Sequence, residues 1–133
     1  MSITIKEIKK EFEKNPFLQH LGIEILSFEE GNVTIKLSVQ NNLLNTKGTL
    51  HGGVYASILD FAQSMHLRSI TKTRCLATSS TVHFTSPVKT GVILAKASII
   101  SQGYKTAFVD GVIKDEDGKI ISKGTGTYKL IRM

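Results

Sequence analysis

Residues 32–39 alternate without a break, with Val33, Ile35, Leu37 and Val39 on one side and Thr34, Lys36 and Ser38 on the other. Successive side chains of a strand point to opposite faces, so this is the pattern of a half-buried β-strand. A companion strand is predicted over 23–28, with a turn at Glu29, Glu30 and Gly31 between the two. The period then changes. Over 51–70, Val54, Ile58, Phe61 and Met65 share one helical face while Leu59, Ala62 and Leu67 lie on others, and no glycine or proline follows Gly53. A helix apolar nearly all round is one buried on most sides. Strand patterns follow over 75–86, 92–102, 104–114 and 119–131, punctuated by Pro87, Gly103 and a hairpin turn at Asp115, Glu116, Asp117 and Gly118. At the front, Thr4 and Glu7 read as a capping box for a short helix with Ile5, Ile8 and Phe12 on one face. Asn15 and Pro16 open a second short helix that Gly22 closes. The pattern leaves open whether the first helix packs on its own subunit or on a partner.

Two strands, a long buried helix and an antiparallel meander predict an α+β fold, a curved antiparallel sheet wrapped around one central helix. Ser122, Gly124 and Gly126 alternate on one face of the last strand, small enough to admit that helix. The 133 residues form one domain, 1–133, by length, and 41% hydrophobic with 21% charged residues is a globular balance. No apolar run reaches membrane-spanning length, and the N-terminal residues lack the apolar core of a signal peptide. A single cysteine, Cys75, excludes an internal disulfide and a multi-cysteine metal cluster, and reads as a core residue rather than a nucleophile. These features suit the cytoplasm. The net charge of +6 comes from scattered lysines with no nucleic-acid motif, so no nucleic-acid partner is expected.

Asp60 is the one acidic residue inside the long helix, on a face with Gly53, Ala56, Ser57, Ser64 and Leu67. A buried carboxylate needs a partner. Either a neighbouring hydroxyl satisfies it, or it is catalytic. Ahead of it, His51, Gly52 and Gly53 set two residues without side chains at the helix N-terminus. The first N–H groups there have no partner within the helix and face the positive end of its dipole, so they suit a developing oxyanion. His51 and His66 do not fall at the spacing of a metal motif, and no Gly-x-Ser-x-Gly elbow is present. Neither a metal site nor a cofactor is expected.

Asn45, His51-Gly52-Gly53 and Asp60 together resemble the signature of the PaaI-like acyl-CoA thioesterases of the hotdog fold. Residues 16–23 (PFLQHLGI) are similar to that family's opening, and residues 84–91 (FTSPVKTG) to its strand-ending Pro-x-x-x-Gly segment. The likeness runs over about residues 16–130. It implies hydrolysis of an acyl-CoA thioester, with coenzyme A part of the substrate. The N–H of Gly52 would meet the thioester oxygen, Asn45 would hold the carbonyl or the attacking water, His51 would orient the carbonyl or its loop, and Asp60 would be base or nucleophile. Gly53, Ser64 and Lys89 are substrate-binding candidates. The family often has a Ser or Thr early in the third strand. Counting back from Pro87 puts Ala77 there, and counting forward from Asp60 puts Thr78 there. If Ala77 holds the place, Ser64 or Ser79 would have to stand in.

The resemblance also implies a homodimer at least, with homotetramers typical, in which each site joins the Gly52 loop of one chain to the Asp60 helix of the other. Spacing agrees, since two turns of helix, about 12 Å, is far for one small carbonyl to bridge. The net positive charge suits the phosphates of coenzyme A, and Lys105 joins Lys89 as a candidate for them. The competing expectations are a hotdog module that binds acyl-CoA without hydrolysing it, and an acyl-thioester dehydratase or hydratase. The Asn45–Asp60 pair argues against the first, and the His-Gly-Gly match does not favour the second.

Overall fold

The computed structural model describes residues 3–132. Helix α1 (Ile5–Glu13) starts at the expected capping box, the Thr4 side chain accepting from the Glu7 N–H while the Glu7 carboxylate reaches back to Thr4. Helix α2 (Pro16–Leu21) is capped by Asn15 and ends at Gly22, whose φ of 80° favours glycine. Strands β1 (Ile23–Glu29) and β2 (Asn32–Ser38) form a hairpin, and the central helix α3 (Gly52–Thr71) follows a loop containing one short 3-10 turn. Strands β3 (Arg74–Phe84), β4 (Val92–Gln102), β5 (Thr106–Lys114) and β6 (Ile120–Ile131) complete one antiparallel sheet in the order β1-β2-β4-β5-β6-β3. The sequence-based boundaries agree to within two residues.

All six strands pack against α3, so the sheet curves around it. The open question about α1 has an answer: Ile8 is fully buried in the core of its own chain. Beneath α3, Gly111 and Gly124 face each other across β5 and β6. A methyl group on Gly111 would meet Gln63 Nε2 at 2.9 Å and Leu59 Cδ2 at 3.0 Å, and one on Gly126 would meet Gln63 Oε1 at 2.6 Å. These glycines admit the helix, as the alternation in the last strand suggested. Gln63 sits in that space, buried, its Nε2 donating to Gly124 O at 3.2 Å. Ser69, fully buried, donates to His66 O and accepts from the Gly31 N–H, which pins the β1–β2 turn to the helix.

Strand β3 is the exception to this burial. It is an edge strand of 11 residues, and its positions are exposed except Cys75 and Val82. Beside it the small-residue stripe of α3, from Gly53 through Ala56, Ser57 and Asp60 to Ser64, is likewise only partly covered or open.

Candidate active site

The segment ahead of α3 folds on itself. Asn45 Oδ1 accepts from the N–H groups of Lys47 (2.9 Å) and Thr49 (3.1 Å), and its Nδ2 donates to Thr49 Oγ1 at 2.8 Å. The loop is tied to the body by the Leu50 N–H on Val88 O and the His51 N–H on Leu43 O. His51 is the N-cap of α3, its Nδ1 accepting from the Gly53 N–H at 2.8 Å. In the neutral ring the proton therefore sits on Nε2. A methyl group on Gly53 would stand 3.0 Å from His51 Nδ1, so the cap requires the glycine. The Val54 and Tyr55 N–H groups bond His51 O. Among the described residues the Gly52 N–H has no partner. It opens into a cleft of about 330 Å³ with Asn45, Tyr55, Phe84 and Pro87 on its walls. Tyr55 donates to Ser86 O at 3.1 Å and meets the Phe84 ring edge-on at 5.7 Å, which shapes that wall.

The sequence reading gave the oxyanion N–H to Gly52 and made Gly53 a substrate-binding candidate, and the structure gives the two glycines different surroundings. Gly53 has its N–H engaged by His51 and makes room for the imidazole, so it is no second oxyanion donor. Asn45 keeps one amide hydrogen beyond its bond to Thr49, and it shapes the loop as well as lining the cleft. Lys89 is exposed past Pro87 and is not among the residues lining the cleft.

Asp60 faces a different cavity, of about 450 Å³, together with Ser64, Ala77 and Tyr128. The expectation of a buried carboxylate is corrected, because Asp60 is exposed at this cavity. The hydroxyl that meets it is not a helical neighbour. Ser57 and Ser64 donate to carbonyls of their own helix, at Gly53 O and Phe61 O. Tyr128, 68 residues on and 2% exposed, donates to Asp60 Oδ1 at 2.7 Å. Gln63 Oε1 lies 3.0 Å from the same hydroxyl. Burial first, and then the Asp60 charge and hydrogen bond, hold the phenol far above its ordinary pKa, so it stays a donor. One Asp60 oxygen is thus fixed and the other has no partner among the described residues.

A β-bulge separates the two candidates in the third strand. Ala77 pairs with Tyr128 and Ser79 with Thr127, leaving Thr78 as the extra residue. Ala77 lines the Asp60 cavity, while the Thr78 hydroxyl donates to Thr127 O at 3.1 Å. The two counts disagreed because the chain is one residue shorter between Asp60 and Pro87 than the family pattern it resembles. Among the described residues no hydroxyl of β3 lines the Asp60 cavity; Ser64 lines it from α3, and the hydroxyl that meets Asp60 is that of Tyr128. Cys75 lies in the same cavity with its thiol pushed up to about 11 by burial, which makes it a poor nucleophile.

Residues 47–122, more than half of the chain, match the model of the thioesterase superfamily. The chain belongs to that superfamily. The superfamily's fold recurs in E. coli PaaI, a protein of the phenylacetic acid degradation operon, with a TM-score of 0.88 at 25% identity over 96% of this chain and 92% of that one. Zebrafish thioesterase superfamily member 2 superposes with a TM-score of 0.85 at 25% identity, over 98% of this chain and all of that one. In sequence the chain is 29% identical to human acyl-coenzyme A thioesterase 13 across 98% of its own length and 96% of the relative. It is a hydrolase of the thioesterase and esterase class. No helix of the described residues is long and apolar enough to cross a membrane.

Sequence reasoning missed Tyr128, Gln63 and the basic end of the Asp60 cavity, where Arg68, Arg74 and Phe12 stand. Tyr128 continues the Ser122, Gly124, Gly126 alternation and so falls on the face turned to α3, which was the available signal.

Proposed function

We propose that this protein is a PaaI-like thioesterase that hydrolyses acyl-CoA thioesters, and that its working unit is at least a homodimer. The observation that carries the reading is the division of the site: the free Gly52 N–H and the Asp60 carboxylate face separate cavities of one chain. A second chain set against the open edge of β3 would bring its own Gly52 loop to the Asp60 cavity. That edge suits the role, because an exposed 11-residue edge strand is a template for pairing, and none of its length is blunted by proline. The uncovered α3 stripe beside it is small enough for close approach.

In this reading the thioester carbonyl accepts from the Gly52 N–H at the positive end of α3. Water attacks the carbonyl carbon, and the free Asp60 oxygen takes the proton. The tetrahedral oxyanion collapses, the C–S bond breaks, and the coenzyme A sulfur leaves with a proton. Alternatively the Asp60 oxygen attacks the carbonyl itself, coenzyme A leaves as the thiol, and water then attacks the Asp60 carbonyl of the anhydride, so that the acyl group departs with the original Asp60 oxygen. Single turnover in ¹⁸O-water separates the routes, since only the second leaves label in Asp60. The cation-rich surface suits coenzyme A, and no cofactor or metal enters either route.

Thiol release from an acyl-CoA panel tests the activity. Replacing Asp60 by Ala is expected to lower kcat by about 10²–10⁴, the ordinary contribution of a positioned acid or base. Mixing tests the shared site. A Gly52→Val chain and an Asp60→Ala chain, each inactive alone, should regain activity when refolded together, because one of the two sites in the mixed dimer is intact. A site contained in one chain would stay dead in the mixture. If native protein binds acyl-CoA and never cleaves it, the non-catalytic binding module replaces this reading.

A further inference from the structure

The Asp60 cavity has two unlike ends. Along α3, Asp60, Ser64 and Arg68 are spaced four residues apart, so they stand on one face over about 12 Å. On the floor, Ala77 pairs with Tyr128 at the Asp60 end and Arg74 pairs with Ile131 at the other. That is about 10 Å of strand, in the same direction. Between the ends the lining is Ser64, Cys75 and Leu76, with Phe12 and Ile131 toward the arginines, a mostly apolar passage. It leads from the reacting carboxylate to two guanidinium groups.

Those groups are held from outside. Glu11 on α1 accepts from Arg68 Nη2 and from Arg74 Nη2, both at 2.8 Å, and the Arg68 guanidinium lies 5.3 Å from the centre of the Phe12 ring. Two guanidinium charges against one carboxylate leave one positive charge over. Arg68 is 8% exposed, and its buried Nε–H has no acceptor. A buried donor left in that state is costly. A salt bridge made only to fasten α1 would need one arginine, and would not leave the buried one incompletely bonded where it lines the Asp60 cavity.

Resting on the thioesterase reading, we infer that the acyl group this site takes carries an anionic acceptor, a carboxylate, at its far end, received by Arg68 and Arg74. The thioester carbonyl stays at Asp60 and the methylene or ring portion fills the apolar passage. The terminal carboxylate meets the guanidinium pair and cancels the surplus charge. Arginine suits this, because its planar fork matches a carboxylate and cannot be deprotonated. Helical side chains lean toward the N-terminus, so Arg68 reaches back over Ser64 and shortens the span to that of a medium-length acyl chain.

The test compares adipoyl-CoA and suberyl-CoA with hexanoyl-CoA and octanoyl-CoA, matched in length and differing in the terminal carboxylate. The native dimer is expected to favour the carboxylated member in kcat/KM by about tenfold or more, the worth of one charge-assisted hydrogen bond. Arg74→Gln should raise KM for suberyl-CoA by about tenfold more than for octanoyl-CoA, so that the preference collapses. Glu11→Gln should strengthen the preference by freeing the fork. Equal or better turnover of the uncharged chains by the native protein would overturn the inference while leaving the thioesterase reading intact. So would an Arg74 variant that loses both substrate types equally, since that is the behaviour of a fastening bridge. Calorimetric binding of suberyl-CoA and octanoyl-CoA to the Asp60→Asn protein decides the matter without turnover. Equal affinities there refute the carboxylate site, and a failure of native protein to cleave anything refutes only the hydrolase.

Discussion

The two halves of the site are built by opposite means. The Gly52 half is mainly local: most of the hydrogen bonds of residues 45–55 close within the segment, with Leu43, Ser86 and Val88 as its outside anchors. The Asp60 half is assembled at long range, from α1, α3, β3 and β6, with its decisive hydrogen bond spanning 68 residues. A local half is fixed by turn and cap chemistry and holds its shape when the core loosens. A long-range half inherits its geometry from packing, so core changes reach it first. This predicts that disturbances of equal size have unequal effects on the two.

Tyr128→Phe is the largest expected break after loss of Asp60 itself. It keeps the ring and removes only the donor, so kcat should fall by about 10- to 100-fold with KM little changed, as expected from about 1.5–3 kcal/mol for a hydrogen bond to a charged group. Unchanged kcat in a folded Tyr128→Phe protein would show that Asp60 needs no such anchor. Gly126→Ala comes next. The added methyl must displace Gln63 or Tyr128, both within 2.7 Å, at a cost of about 1–3 kcal/mol in denaturant unfolding. Activity should fall with it under conditions where the protein is still folded.

On the local side, Asn45→Ala removes a turn anchor and a cleft amide. Stability should drop by about 1 kcal/mol, with a kcat/KM loss smaller than that of Tyr128→Phe. A larger loss would mean that Asn45 touches the reacting atoms directly. The smallest effect concerns pH. His66 is buried with its Nδ1 unpartnered, and burial, followed by the Lys96 charge, lowers its pKa from 6.5. The unfolded chain therefore binds the proton more readily than the fold does. That contribution to stability is whole above pH 6.5 and is lost as pH falls through the lowered value. His66→Gln should flatten the urea midpoint against pH in this range while leaving the Gly52 half untouched.

Much of the fold was legible because its signals are short-range. The Thr4 capping box, the Asn15–Pro16 opening and the Val33–Val39 alternation each need only a few residues to declare themselves. The same holds for His51 at the head of α3. Tyr128 was not legible as a partner for Asp60, since its place depends on the register of β6 against a helix half the chain away. The different placing of Ala77 and Thr78 was hidden for a related reason: a bulge leaves no mark in periodicity when the residues around it, Ala77 to Ser80, are all small and polar or neutral. The same limit hid Arg68 and Arg74, which look like ordinary surface charges until α1 folds over them.

Gln63 gives the core a second office. It touches no cleft, yet it sits one turn after Asp60 with its amide keyed to the Gly124 carbonyl and its oxygen beside the Tyr128 hydroxyl. An apolar helix can roll on an apolar sheet with little change in area, whereas a keyed one has a single azimuth. Repacking position 63 with a hydrocarbon of like volume would therefore keep the melting point and release the rotation of α3. The aim of the carboxylate is set by an angular reference buried between helix and sheet, so sequence variation that looks neutral to folding is filtered there by aim rather than by stability.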